Sequence, residues 1–129
     1  LLRKLASVSQ VNISKGAKIA EEALSFFNNK NYKQASVLYL KAINEDPMEY
    51  SYYENVATCF YQLKEYGNAM LYSSKVISKF NPRTGKSEYL HGISKISTGD
   101  LQGGCEFISK AIELNFLEAQ KIKNQFCKS

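Results

Sequence analysis

The chain is poor in the residues that carry chemistry. It has one histidine, three cysteines and no CxxC pair in 129 residues, too few metal ligands in too scattered an order for a zinc site. The lone histidine, His91, reads as a satisfied, partly buried side chain rather than a general base. The neighbouring acids Glu21-Glu22 and Glu45-Asp46 point to different sides of a helix and read as solvated or capping groups. Gly103-Gly104 lacks both the preceding strand and the Lys-Ser/Thr of a phosphate loop. No catalytic residue, no cofactor and no metal ligand is read from the chain.

Long apolar runs are missing too. Nothing approaches the roughly 18 to 20 residues that a membrane helix needs, so direct insertion into a bilayer is not expected. The opening "LLRKLASVSQ" has no extended apolar stretch and carries its positive charge inside, unlike a signal peptide. It begins with Leu rather than Met, and the chain is taken as an excised or processed piece. The formal charge is +5 with a pI near 9.1, but there is no basic stripe. Arg3, Lys4 and Lys15 fall in the first fifteen residues and the other cations are spread thinly. Nucleic-acid binders concentrate such residues on one face, so a solvated surface is expected and a nucleic-acid partner is not.

What the chain does have is a period. Tyr32, Ala35 and Ala42 recur as Tyr66, Ala69 and Val76 after 34 residues, and as Leu101, Gly104 and Ala111 after a further 35. Fixed self-similarity at that length signals an array of repeats. Three units follow, at about 16–49, 50–84 and 85–118. Each holds an amphipathic helix, a turn ("NNKN", "KEYG", "TGD") and a second helix. Small residues at the matched positions Ala35, Ala69 and Gly104 let the two helices of a hairpin approach closely, while Ala42, Val76 and Ala111 serve the packing of the next hairpin. Gly99 supplies turn angles that stop a helix. "DPME" suggests Asp46 as N-cap, Pro47 at the first helical position and Glu49 completing a capping box. Pro82 is expected to break the chain between the second and third units.

The flanks are read as helical. Leu1, Leu5 and Val8 suggest a stub or linker over 1–15. Leu117, Ile122 and Phe126 share one face of a capping helix over 117–129, which would seal the open end of the array. "NIS" at Asn12 matches a glycosylation sequon, a match common by chance.

The residues Ala23, Tyr32, Ala35, Tyr39, Ala42 and Pro47, then Tyr53, Ala57, Phe60, Tyr66 and Ala69, then Gly92, Gly99-Asp100 and Ala111 resemble the tetratricopeptide repeat (TPR) family over about 16–118. The tail "GGCEFISKAIELNFLEAQKIKNQFC" is similar to the endings of short TPR proteins and TPR tails of Gram-negative bacteria, in which a similar Cys pair recurs. The resemblance implies an all-α fold of three hairpins in a right-handed superhelix, with a C-terminal capping helix. It also implies a non-catalytic scaffold binding a peptide or partner segment along the first helices. The alternatives are a regulatory or structural tail of a larger enzyme or membrane protein, and a secretion-type TPR chaperone.

The groove positions that the resemblance implies include Leu24, Phe27 and Asn28, then Glu54, Asn55, Thr58, Tyr61 and Gln62, then Lys86, Tyr89, Leu90 and Ile93, with Ala20 and Ser51 beside them. TPR co-chaperones that grip a C-terminal carboxylate place Lys and Asn in repeat one, Asn in repeat two, Lys and Arg in repeat three. Those places hold Ala20, Leu24, Asn55, Lys86 and Leu90 here. With two of three cations replaced by apolar groups, the carboxylate grip is weakened, and a partner with apolar side chains is expected instead.

Cys105 and Cys127 sit about ten or eleven residues either side of a turn near Asn115-Phe116, at the same height in an antiparallel helix pair. They are candidates for a disulfide, and Cys59 is expected to stay free. The compartment is left open: cytoplasmic, or periplasmic if Cys105 and Cys127 are bonded. Oligomeric state is not read.

Overall fold

The computed structural model describes residues 13–81 and 84–127. The expectations at Leu1, Leu5, Val8, Asn12 and Pro82 lie outside these residues. Within them the chain forms helices α1 (Lys15–Asn28), α2 (Tyr32–Glu45), α3 (Tyr50–Gln62), α4 (Tyr66–Lys79), α5 (Lys86–Ser97), α6 (Leu101–Glu113) and α7 (Glu118–Phe126), and no strand. The first six pair as hairpins α1–α2, α3–α4 and α5–α6, and α7 packs on α6.

One hydrogen-bond pattern closes every hairpin. The amides of Lys30 and Asn31 reach back to the carbonyls of Phe27 and Phe26, those of Lys64 and Glu65 to Tyr61 and Phe60, and those of Gly99 and Asp100 to Ile96 and Lys95. Asn115 and Phe116 repeat the arrangement on Ile112 and Ala111 before α7. This double closure satisfies orphan carbonyls at a helix end and demands one left-handed residue. That residue is Lys30 (φ 62°), Lys64 (φ 62°), Gly99 (φ 100°) and Asn115 (φ 68°). The turn therefore recurs with the sequence period, although only one of the four is glycine. The next helix starts on a side-chain cap where the sequence offers one: Asn31 accepts from the amide of Gln34, and Asp100 from that of Gly103.

The hairpins cross at small residues. Ala23 and Ala35, Ala57 and Ala69, and Gly92 and Gly104 occupy matched positions on the two helices of their hairpins, all of them buried. At the third crossing a Cβ on Gly104 would stand 2.7 Å from the Gly92 carbonyl oxygen, and one on Gly92 would stand 2.9 Å from the Gly104 carbonyl oxygen. Backbone meets backbone there, and no side chain fits between.

The two junctions between repeats differ in chemistry. Between repeats one and two, Tyr39 packs on Tyr52 (centroids 6.5 Å apart), with Val56 and Cys59 buried beside them. Burial pushes the Tyr39 hydroxyl up to about 12 and the Cys59 thiol likewise to about 12. One repeat later the matching positions hold Ser73, Ser87, His91 and Ser94. Ser73 Oγ lies 3.0 Å from His91 Nδ1, and Ser87 donates to the buried Glu54 carboxylate at 2.9 Å. Burial lowers the affinity of His91 for a proton, with Lys95 acting the same way, while the carbonyl of Met70 and Glu88 oppose it. His91 thus has polar partners and packs on Phe107, centroids 4.4 Å apart. On α1 the equivalent positions are Lys18, Glu22 and Ser25, all exposed among the described residues.

Two local expectations are corrected. Asp46 does not cap α3. Pro47 takes the second place of a turn closed by Glu49 N–H to Asp46 C=O (3.2 Å), and the helix begins only at Tyr50. The Asp46 carboxylate instead accepts from the Ser14 hydroxyl at 2.7 Å, joining the two ends of hairpin one. The capping helix starts at Glu118. Leu117 precedes it and is 78% exposed, and Phe126 is 43% exposed, so the packed residues are Phe116, Ala119, Ile122 and Cys127. The turn at Asn115-Phe116 rotates the helix so that this set faces α6.

The strained left-handed lysines generate a prediction. Replacing exposed Lys64 by glycine, the residue that the third repeat already uses, stabilises the chain by about 0.5 to 1 kcal/mol, because a side chain at positive φ costs more than glycine loses in unfolded-state entropy. Chemical denaturation checks it. An unchanged or lower midpoint contradicts it.

Candidate functional site

The first helices α1, α3 and α5 stand side by side, and two cavities open between them. The upper one, of about 270 Å³, is lined by Ala20, Glu21 and Leu24 of α1, Tyr39 of α2, and Ser51, Tyr52 and Asn55 of α3. Its polar floor is the amide of Asn55, which donates to the Tyr39 hydroxyl at 3.3 Å. Leu24 is 45% exposed at its rim. Glu21 is the one charged side chain in that lining.

The lower cavity, of about 450 Å³, is lined by Thr58, Tyr61 and Gln62 of α3, by Lys86, Tyr89, Leu90 and Ile93 of α5, and by Phe116 and Glu118 at the start of α7. Its walls are aromatic. The Tyr89 and Phe116 rings lie 5.0 Å apart, and Tyr61 leans on Tyr66 at 5.5 Å. Burial, reinforced by Glu118 and then Tyr61, raises the Tyr89 hydroxyl above its ordinary pKa, so it stays a neutral donor. The Thr58 hydroxyl turns back to donate to the Glu54 carbonyl at 2.9 Å. Lys86 and Glu118 place opposite charges in the lining. An apolar side chain could fill this pocket while polar groups grip the backbone that carries it.

Of the twelve residues expected in the groove, the structure brings nine to these cavities: Leu24 and Asn55 above, and Thr58, Tyr61, Gln62, Lys86, Tyr89, Leu90 and Ile93 below. Three stand elsewhere. Phe27 packs edge-on against Tyr32 (5.7 Å) and Tyr39 and belongs to the core of repeat one. Asn28 is exposed at the end of α1 and lines neither cavity. Glu54 is 6% exposed and turned into the junction with α5, where burial raises its pKa and the Ser87 hydrogen bond and Lys86 oppose the rise.

Exposure is corrected as well. Leu90 and Ile93 are 3% and 6% exposed, because they also pack on Ala57, Ile108 and Ala119, so they form the floor rather than a free surface. Phe116 and Glu118 were missed. They follow the left-handed Asn115, and an aromatic residue after a helix stop carries no periodic signal.

Leu90 therefore cannot serve as a silent probe of binding. Leu90→Asp places a charge in the core and costs on the order of 4 kcal/mol, combining lost burial with an unpaired buried carboxylate. Thermal unfolding of the variant reads this directly, and a midpoint equal to wild type would show that Leu90 is not buried.

No family model matches the chain. It is similar to small glutamine-rich tetratricopeptide repeat-containing protein 2 of Mycosarcoma maydis, 28% identical over 107 residues, which is 83% of this chain and 30% of that protein. The chain thus spans about 30% of the length of that curated relative. Among solved structures, the Arabidopsis OM64 TPR domain superimposes with a TM-score of 0.81 at 17% identity, covering 86% of this chain and 93% of that one. The first TPR of Spaghetti (RPAP3), solved bound to the HSP90 peptide SRMEEVD, gives 0.76 at 19% identity, covering 88% and 94%. The fold is the tetratricopeptide-repeat fold, an all-α superhelix of stacked helical hairpins.

Proposed function

We propose that this chain is a non-catalytic interaction module that binds an extended or helical segment of a protein partner along the α1–α3–α5 face. The observation that carries the reading is the lower cavity, where Tyr61, Tyr89 and Phe116 surround a space of about 450 Å³ with Lys86, Gln62 and Glu118 in its lining. Aromatic side chains around a pocket, with few charges, are the composition of a binding hot spot. The partner presents a large apolar side chain there and a second apolar contact to Leu24.

An acidic C-terminal tail is a poor fit for this groove. The upper cavity has no cation in its lining and carries Glu21, while Leu90, which replaces the expected Arg, is buried. The groove serves equally in a module standing alone, in the tail of a larger enzyme or membrane protein, or in a secretion-type chaperone. The reading takes a protein segment as the partner, and among the described residues no helix is long and apolar enough to cross a membrane.

Selection from a displayed library of random dodecapeptides on the immobilised chain, followed by titration calorimetry of the enriched sequences, tests this. Enriched peptides carry an aromatic or aliphatic anchor, and Tyr89→Ala or Tyr61→Ala weakens each by roughly tenfold or more. Binding that ignores both variants, or peptide SRMEEVD binding as tightly as the selected sequences, overturns the reading.

A further inference from the structure

The groove is completed by the least independent element of the fold. Helix α7 has nine residues, buries only Ala119 fully and has no side-chain cap at its start. Helices this short do not persist in water without tertiary support. Yet α7 lies along the binding face. Phe116 and Glu118 wall the lower cavity at its beginning, and Ile122 and Phe126 form a further small cavity with Tyr61, Ile93, Ile96 and Ser97 along its length. Tyr61 is therefore shared by two spaces that both need α7 in place.

The far end of α7 is tied down covalently. Cys127, its C-cap, is bonded to Cys105 in the first turns of α6, with Cα atoms 5.6 Å apart. The bond is not sealed in the core. Both cysteines line a surface cavity of about 530 Å³ together with Leu101, Gln102, Glu106, Ser109 and Phe126, so a small thiol can reach it. Cys59, the free cysteine among the described residues, is fully buried in α3 and takes no part in exchange.

We propose that the Cys105–Cys127 bond is a redox control on the groove: closed, it holds α7 so that Phe116 and Glu118 complete the ligand pocket, and opened, it releases them. This rests on the groove reading above. Opening consumes a dithiol reductant. One thiolate attacks a cystine sulfur, the S–S bond breaks, and the second thiol resolves the mixed disulfide. The reductant ends as a disulfide, having passed two electrons and two protons to Cys105 and Cys127, which become thiols. Apparent affinity then falls to the fraction of its oxidised value that equals the share of molecules in which α7 remains docked, since it scales with the competent population.

The test compares the oxidised chain, the chain reduced with dithiothreitol, and Cys127→Ser, using a dodecapeptide selected on the oxidised form. The proposal predicts that reduction and Cys127→Ser each weaken the peptide roughly tenfold, and that Tyr89→Ala removes the difference between redox states. In parallel, amide hydrogen exchange of Phe116 and Ala119 is followed without any ligand. Reduction should accelerate both while leaving Ala57 and Ala69 protected. Equal peptide affinity in the two redox states overturns the coupling while leaving the groove reading intact. No peptide bound by the oxidised chain overturns the groove reading. Unchanged exchange at Phe116 and Ala119 overturns the release of α7 whatever the peptide does.

Discussion

The close crossing of helices at small residues is the constraint on which the rest of the molecule depends. Fully buried Ala23 and Ala35, then Ala57 and Ala69, hold the matched positions in the first two hairpins, and at Gly92 and Gly104 of the third, backbone carbonyls bound the space that a methyl group would need. At the crossing itself there is no room for a large side chain, and such side chains pack between the two helices only away from it, as Phe27 does on Tyr39 and His91 on Phe107. Large side chains also project to the two sides, where Tyr39, Tyr52, Val56 and Ile108 form the cores and Tyr61, Tyr89 and Leu24 face the groove. The turns reinforce the geometry. Four helix ends use the same pair of backreaching hydrogen bonds, so the backbone turns back through the same local pattern at each.

The repeats are alike in backbone and unlike in what they bury. The first junction is aromatic and the second is polar, with Ser73, Ser87, His91 and Ser94 where the first has Tyr39, Tyr52, Val56 and Cys59, and with Glu54 bonded to Ser87. Hydrogen-bonded polar groups in a junction contribute less than the apolar burial they replace, because each must first be stripped of water. The last repeat is thus held by a smaller apolar cluster, centred on Leu90, Ile93, Ile108 and Ala119. The covalent tie from α6 to α7 stands at that same end, closing a loop with ends 22 residues apart. Crosslinks of that span limit the unfolded chain by a few kcal/mol.

Most of the fold was legible because it is periodic. A small residue at a fixed place and an interval of 34 or 35 residues are visible in one sequence, and three hairpins with a turn inside each follow from them. What escaped was not periodic. Asp46 looked like a helix cap, but Pro47 is equally suited to the second place of a turn, and that turn delays α3 to Tyr50. Lys30 and Lys64 occupy left-handed positions that glycine would have announced. The polar junction depends on which way Glu54 and Ser87 turn, and a position that faces the groove in one repeat can rotate inward in the next, as Leu90 does. Phe116 and Glu118 reach the site only because the chain folds back at Asn115.

The crossing constraint is tested most directly by one chemical change made at two glycines. Gly67 lies in α4 with nothing within 4 Å of an added Cβ, whereas Gly104 has the Gly92 carbonyl oxygen at 2.7 Å and Ile96 still nearer. Thermal unfolding of Gly67→Ala and Gly104→Ala should move in opposite directions. Gly67→Ala gains up to about 1 kcal/mol from helix propensity, and Gly104→Ala loses about 1 to 3 kcal/mol as α5 and α6 are forced apart. If Gly104→Ala is as stable as Gly67→Ala, the hairpins are not held by close crossing and the account fails.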